Sequence, residues 1–367
     1  MKRIAFLGRG GHTLPTYRAL LNRVSEHYEL TVYSEVPIEK EWLALEHKYS
    51  LRAVTTRKVP RRFRELLLLY VLIKDHLNNP YHLVHAHSTY PTGFVAVILQ
   101  KLFRLRAIVS LHAAEASAFP DINFGDLLHP KRAKINRWVI KNAHIVTALT
   151  EFQRDAVVGN LEITRPIKVL HRGVDLNRFY FKRANGRHSP VVILSVGYLN
   201  AIKDPETLLR AFHAIQKEME SVLIVVGKDY TDGAFERLAK DLGISGKVRF
   251  EGYVCHDVMD AYYQRADLLL HTSRYESQGM VIAEALASGV LVAGTNVGLM
   301  SDLSAECCVT VPTGDAEALS QAVLRLFYDQ KEMDRLRENG YQWSREHSLD
   351  VCSEELVRLY KHNIRAT

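Results

Sequence analysis

Cysteine is scarce in this chain: four in 367 residues, Cys255, Cys307, Cys308 and Cys352, and they fit neither a C-x-x-C pair nor a zinc-ligand spacing. Reduced thiols in a cytoplasm are the simplest account. Long apolar runs are missing too, and none approaches the roughly 20 residues a membrane-spanning helix needs. The apolar stretch from Met1 to Gly8 is too short for a signal peptide and reads as a first strand. No low-complexity tract occurs. A dinucleotide fingerprint fails as well: Gly8-Arg9-Gly10-Gly11-His12 is followed by Thr13 where G-x-G-x-x-G needs its third glycine, so Glu35 after the second strand completes no NAD site. Three close histidines, His82, His85 and His87, do not make a metal site, because along a strand His82 points away from the other two.

With 47 % hydrophobic and 24 % charged residues the composition is that of a globular protein, and its length fits two domains with full cores. Charge is unevenly spread. Residues 1–190 hold 30 Lys and Arg against 15 Asp and Glu, and residues 191–367 hold 18 against 26. A basic half beside an acidic one points to an anionic partner for the first: nucleic acid, a membrane surface or a phosphorylated acceptor. Within it, residues 57–74 set Arg57, Lys58, Arg61, Arg62 and Arg64 ahead of an apolar helix. That is either a buried helix with a solvated basic start or an interfacial segment with Phe63 and the leucines dipping into anionic lipid.

Each half opens as strand, glycine turn, helix. Arg3 to Leu7 leads through the glycines to an amphipathic helix from about Leu14 to His27. Val191 to Val196 leads through Gly197-Tyr198 to Lys203. Further strands are expected at 30–33, 107–111, 145–149, 222–227, 248–254, 268–270 and 290–293, with a polar linker from Phe181 to Pro190 and a helical chain after residue 300.

The chemistry is expected in Ser273-Arg274-Tyr275-Glu276-Ser277-Gln278-Gly279-Met280, which joins an apolar strand to an Ala- and Leu-rich helix ending near Ser288-Gly289. The first N–H groups of a helix lack internal partners and carry the positive end of its dipole. With Gly279 admitting close approach, that end can receive a diphosphate. Glu276 in the loop and Glu284 eight residues on can then address a sugar hydroxyl and a ribose diol.

Glu, seven residues, Glu, with Gly at the third step and the continuation Gly294-Thr295-Asn296-Val297-Gly298, resembles the hallmark of glycosyltransferase family 4. The resemblance covers nearly the whole chain and is strongest over 190–315. It implies the GT-B architecture: α/β, two doubly wound Rossmann-like domains facing a central cleft. The expected division is 1–185 on the acceptor side, with a last helix of about 349–364 packing back onto it, and 186–348 for the nucleotide sugar. It also implies retaining transfer of a sugar from a UDP- or GDP-sugar to a glycan acceptor, with a lipid-linked one favoured by the basic first half. No Asp-x-Asp triplet occurs to clamp a metal, and no cofactor or nucleic-acid partner is implied. The family pattern assigns Lys203 to the diphosphate, Glu276 to the donor sugar and Glu284 to the ribose. It gives the base to the backbone near Val254, and an active-site loop to Gly10 and Gly11. Gly197, Tyr198, Ser277, Gln278, Gly279 and Met280 complete the donor site, and His112 lies by the sugar or the attacking hydroxyl. Tyr198 stands where the family has arginine, and Ala113 where it has glycine. The Gly173-Val174-Asp175 segment also matches. The expected setting is cytoplasmic, peripheral at the inner membrane face. Two alternatives share the architecture: a sugar-nucleotide epimerase, which needs further cleft carboxylates, and a degenerate, non-enzymatic subunit, which would not bind nucleotide sugars.

Overall fold

The computed structural model describes residues 1–8, 15–34, 47–54, 60–112, 114–181 and 189–364. The chain forms two compact units, residues 1–173 with 349–367, and residues 174–348. Sequence composition places the boundary in the polar stretch at 185/186. The first unit instead ends at Gly173, because Val174 and Phe179 are already buried in the second unit's core.

Among its described residues the first unit holds seven strands: β1 (Arg3–Gly8), β2 (Glu29–Ser34), β3 (Ser50–Ala53), β4 (Leu83–His87), β5 (Arg106–Ser110), β6 (Ile145–Ala148) and β7 (Lys168–Val169). They lie in the order β3-β2-β1-β4-β5-β6-β7, and all neighbours are parallel. Side chains alternate across the sheet. Ala5 and Leu7 of β1 enter one core with Leu68, Leu72 and Val97, while Ile4 and Phe6 enter the other with Tyr17, Leu21 and Tyr360. The helix Leu349–Asn363 supplies that second core through Leu349, Leu356, Leu359 and Tyr360, spaced as one helical stripe.

The second unit repeats the plan with six strands among its described residues: β8 (Val191–Val196), β9 (Ser221–Val226), β10 (Val248–Gly252), β11 (Leu268–His271), β12 (Leu291–Thr295) and β13 (Val309–Val311). Their order is β10-β9-β8-β11-β12-β13, again all parallel. Leu268 and Leu270 of β11 face one core and Leu269 the other. β13 lies in the stretch expected to be wholly helical. It is a three-residue edge strand, too short for a periodic signal.

In both sheets the order reverses beside the first strand, between β1 and β4 and between β8 and β11. Doubly wound sheets bind ligands beyond the carboxyl ends of the strands at such points.

Candidate active site

In the second unit, the two strands flanking the reversal point deliver Lys203 and Glu276. After β8 the chain passes Gly197 and Tyr198 into a short turn, Ala201–Lys203, capped by Asn200, whose Oδ1 accepts from the Lys203 N–H at 3.2 Å. After β11, Thr272 Oγ1 donates to the carbonyls of Lys203 and Asp204, each at 3.0 Å, stitching the two loops together. Lys203 Nζ forms an ion pair with Glu276 Oε1. The same oxygen accepts from Ser273 Oγ at 2.9 Å and faces His271 Nε2 at 3.3 Å. Burial by itself would raise the Glu276 carboxyl. The Lys203 charge and the His271 bond outweigh it and hold the group far below the ordinary carboxylate range. Glu276 is therefore a carboxylate at any working pH.

Two glycines let the backbone close around it. Gly279 has φ +86° at the start of the helix Met280–Ala287, and a Cβ there would meet Ile282 Cδ1 at 2.6 Å. Gly298 has φ +54°, and its Cβ would lie 2.6 Å from that of Glu276. Ser277 and Gln278 thus lead directly into the helix start beside the ion pair. Gly197, Tyr198, Lys203, His271, Thr272 and Ser273 line a small hollow there. Tyr198 is half exposed, its ring edge-on to Tyr230 with centroids 5.4 Å apart.

Glu284 belongs to a different set. It is buried, accepting from His256 Nε2 and Tyr263 Oη at 2.9 Å each. His256 follows closely after Val254 in the loop beyond β10.

In the first unit, His112 follows β5. Its ring stacks on His87, at the end of β4, with centroids 3.6 Å apart and planes 5° from parallel. Tyr17 Oη lies 3.3 Å from Nε2 and Arg172 Nη2 lies 3.4 Å from Nδ1. The main-chain N–H of His112 donates to Glu115 Oε1 at 3.1 Å. Burial, reinforced by His87 and the Arg172 charge, pushes the imidazole pKa well below its usual value. His112 is a neutral ring and, with a guanidinium facing Nδ1, keeps its proton on Nε2. Behind it, His85 joins Tyr360 Oη at 2.5 Å and Ser110 Oγ at 2.7 Å. Gly10, Gly11 and Ala113 lie outside the described residues.

The motif residues Lys203, Glu276 and Ser277–Met280 thus converge, as do Gly197 and Tyr198. Glu284 and Val254 lie in the second set, and His112 in its own unit. Tyr17, His87, Arg172, Arg178, His256, Tyr263 and His271 are partners the motif does not name. His271 and His87 carry a signal, each as an imidazole closing an apolar strand, which needs a partner to be buried.

Two doubly wound parallel units, each with polar groups gathered where its strand order reverses, define an α/β protein built for ligands at the strand ends. Residues 18–178 match the model of Glycosyltransferase Family 4, and residues 177–343 that of Glycosyl transferases group 1. The chain belongs to glycosyltransferase family 4. It is 28 % identical over 303 residues to a D-inositol 3-phosphate glycosyltransferase of Corynebacterium urealyticum, covering 77 % of this chain and 71 % of that one. It is 23 % identical to the N-acetyl-alpha-D-glucosaminyl L-malate synthase of Bacillus anthracis, covering 76 % and 73 %. Among solved structures, a sucrose-phosphate synthase from Thermosynechococcus elongatus superposes with TM-score 0.84 at 20 % identity, over 99 % of both chains. HepE of Anabaena, in complex with UDP and glucose, superposes with TM-score 0.78 at 18 % identity, over 99 % of this chain and 100 % of that one. The fold is GT-B.

Proposed function

We propose that the protein transfers a sugar from a UDP- or GDP-sugar to a glycan acceptor on a lipid carrier, with retention at the anomeric carbon and without a metal ion or other cofactor, in polysaccharide or glycoconjugate synthesis. The observation that carries this reading is the convergence of Lys203, Glu276 and the start of the helix Met280–Ala287 at the reversal point of the second sheet. A cation and the first N–H groups of a helix are what a departing diphosphate requires. A carboxylate beside them can accept bonds from the hydroxyls of the sugar and orient it.

Glu284 takes the ribose in this reading, the backbone near Val254 the base, and Gly197, Tyr198, Ser277, Gln278 and Gly279 the diphosphate with its sugar. Tyr198 contributes a single hydrogen bond where an arginine would add charge. Gly10, Gly11 and His112 meet the sugar or the attacking hydroxyl in this reading. The UDP and glucose in the HepE structure support a donor of this class.

The helix Arg61–Asn78 supports a membrane-borne acceptor. Leu68 and Leu72 are buried, whereas Phe63, Leu66, Tyr70 and Leu77 form a stripe between 47 % and 68 % exposed. An apolar stripe behind a basic start suits the anionic inner face of a membrane, held peripherally. Among the described residues no helix is long and apolar enough to cross one.

The test is a donor screen. The chain should slowly hydrolyse one UDP- or GDP-sugar, with product nucleotide measured, and EDTA should leave the rate largely intact. Release of nucleotide from none of the donors would overturn the reading, and a rate restored only by magnesium or manganese would overturn its metal-free part.

A further inference from the structure

The two oxygens of Glu284 are held from two sides, and the proton positions can be assigned. Tyr263 Oη donates to Oε2, and His256 Nε2 meets Oε1. On the far side of the imidazole, Arg178 Nη1 lies 2.8 Å from His256 Nδ1. A guanidinium only donates, so Nδ1 accepts, and the neutral ring carries its proton on Nε2. Nε2–H therefore donates to Glu284. Phe179 closes the group, its ring edge-on to His256 at 5.7 Å and to Tyr263 at 5.6 Å.

These bonds tie the turn after β10, and the short helix Met259–Tyr263 that follows it, to the helix Met280–Ala287, whose Ile282 and Ala283 share a core with Met259 and Tyr263. His256 opens the turn His256–Val258 in the loop beyond β10, and Glu284 lies on the helix Met280–Ala287. The two residues are 28 apart in sequence, and theirs is the bond that reaches the helix from the turn itself. Protein donors take one site on each carboxylate oxygen, and each oxygen has a second lone pair free for a ligand hydroxyl.

We propose that His256, oriented by Arg178, is a positioning residue that latches the loop after β10 onto Glu284, and that this latch sets the preference for ribose over 2′-deoxyribose in the nucleotide. The inference rests on the reading of Glu284 and Val254 as the ribose and base contacts. A carboxylate fixed in one rotamer meets a vicinal diol without first being ordered, whereas a loose one loses affinity to that ordering. The base contact at Val254 moves with the same loop, so its register against the ribose is set by the same bond.

Two substitutions separate positioning from packing. His256→Asn keeps an acceptor toward Arg178 but is too short to reach Glu284. His256→Gln keeps an N–H donor near the Nε2 position. The whole chain and both variants are titrated calorimetrically with UDP, GDP and the 2′-deoxy form of whichever binds, after thermal melts establish folding. Wild type should prefer the ribonucleotide. His256→Asn should lose about tenfold in ribonucleotide affinity and much less in deoxynucleotide affinity, so that the preference collapses, and His256→Gln should retain most of it. If wild type binds and both variants bind as it does, the latch is wrong and the nucleotide reading stands. If Asn and Gln lose both nucleotides by the same factor, His256 is structural and the latch is again wrong. If wild type binds neither UDP nor GDP, the nucleotide reading fails and the latch with it.

Discussion

Lys203 and Glu276, 73 residues apart in sequence, are ion-paired where the order of the second sheet reverses. The cation proposed for the diphosphate is thus already engaged by the carboxylate proposed for the sugar. A donor entering this site must share or divide the pair, which ties the affinity for the leaving group to the group that orients the sugar.

Glu276→Gln should separate those two roles. With its counter-charge gone, Lys203 is free for the diphosphate, so nucleoside diphosphate should bind as well as to wild type or up to about tenfold tighter. Turnover of the sugar donor should fall on the order of a hundredfold. Glu284→Gln should instead weaken free nucleotide and intact donor alike, by about tenfold. Calorimetry with the nucleotide and steady-state rates with the donor check both. Equal weakening of nucleotide binding by the two substitutions would contradict the assignment.

The same pair makes stability depend on pH in a defined direction. The Glu276 carboxyl is depressed far below 4.5, so its contribution is fully present above that value and is lost as the pH falls toward the folded-state value. Thermal melts should show Glu276→Gln below wild type at pH 7, with the gap narrowing below pH 4.5. A gap that widens in acid would mean that Lys203 does not stabilise the carboxylate.

His85 adds a second dependence, at higher pH. Burial lowers its pKa from 6.5 to about 3, so its neutral ring costs nothing above pH 6.5. Stability is then lost as the pH falls from 6.5 toward 3, at up to about 1.4 kcal/mol per pH unit for one proton. His112, lowered by burial and its neighbours, acts in the same direction. Denaturant titrations between pH 4 and 7 should show wild-type stability falling with acidity. His85→Gln, which does not titrate in this range, should reduce that slope by about one proton.

The exposed stripe of the helix Arg61–Asn78 should govern membrane attachment. Wild type should bind anionic vesicles in a salt-sensitive manner, each nearby Lys or Arg contributing roughly 1 kcal/mol. Leu66→Asp with Tyr70→Asp should cut that binding at least tenfold, and nucleotide affinity should stay unchanged. Co-sedimentation checks it. Equal binding to neutral and anionic vesicles, or none to either, favours a soluble acceptor.

Much of the architecture is legible in the sequence for a physical reason. Strands of a parallel sheet covered on both faces are continuous apolar runs, so β8 occupies Val191–Val196, the bounds its residues predict, and β11 and β12 lie within two residues of expectation. The edges are less legible. β3 is partly exposed and carries Arg52, and β13 has three residues, so neither shows a run or a period. The site divides in the same way. Lys203, Glu276 and the helix start lie at fixed offsets from strand ends, and local spacing can announce them. His271, which faces Glu276, and the Arg178–His256–Tyr263 set around Glu284 are joined across 5 to 78 residues by packing alone. No spacing encodes such a contact.

The main-chain N–H of Val174 donates to the carbonyl of His347 at 3.2 Å, and Val174 pairs with Ser348 in a parallel bridge. The second unit therefore begins and ends at adjacent points, and in topology it is an insertion within the first. It can be excised as one continuous piece, residues 174–348. The remainder needs only a short splice from Gly173 to Leu349, which keeps the helix Leu349–Asn363 attached to the core it completes. A fragment cut at either crossing alone would strand that helix. Exchange of this unit between relatives, as a test of whether it carries the proposed donor site, is therefore best attempted as a cassette with two junctions.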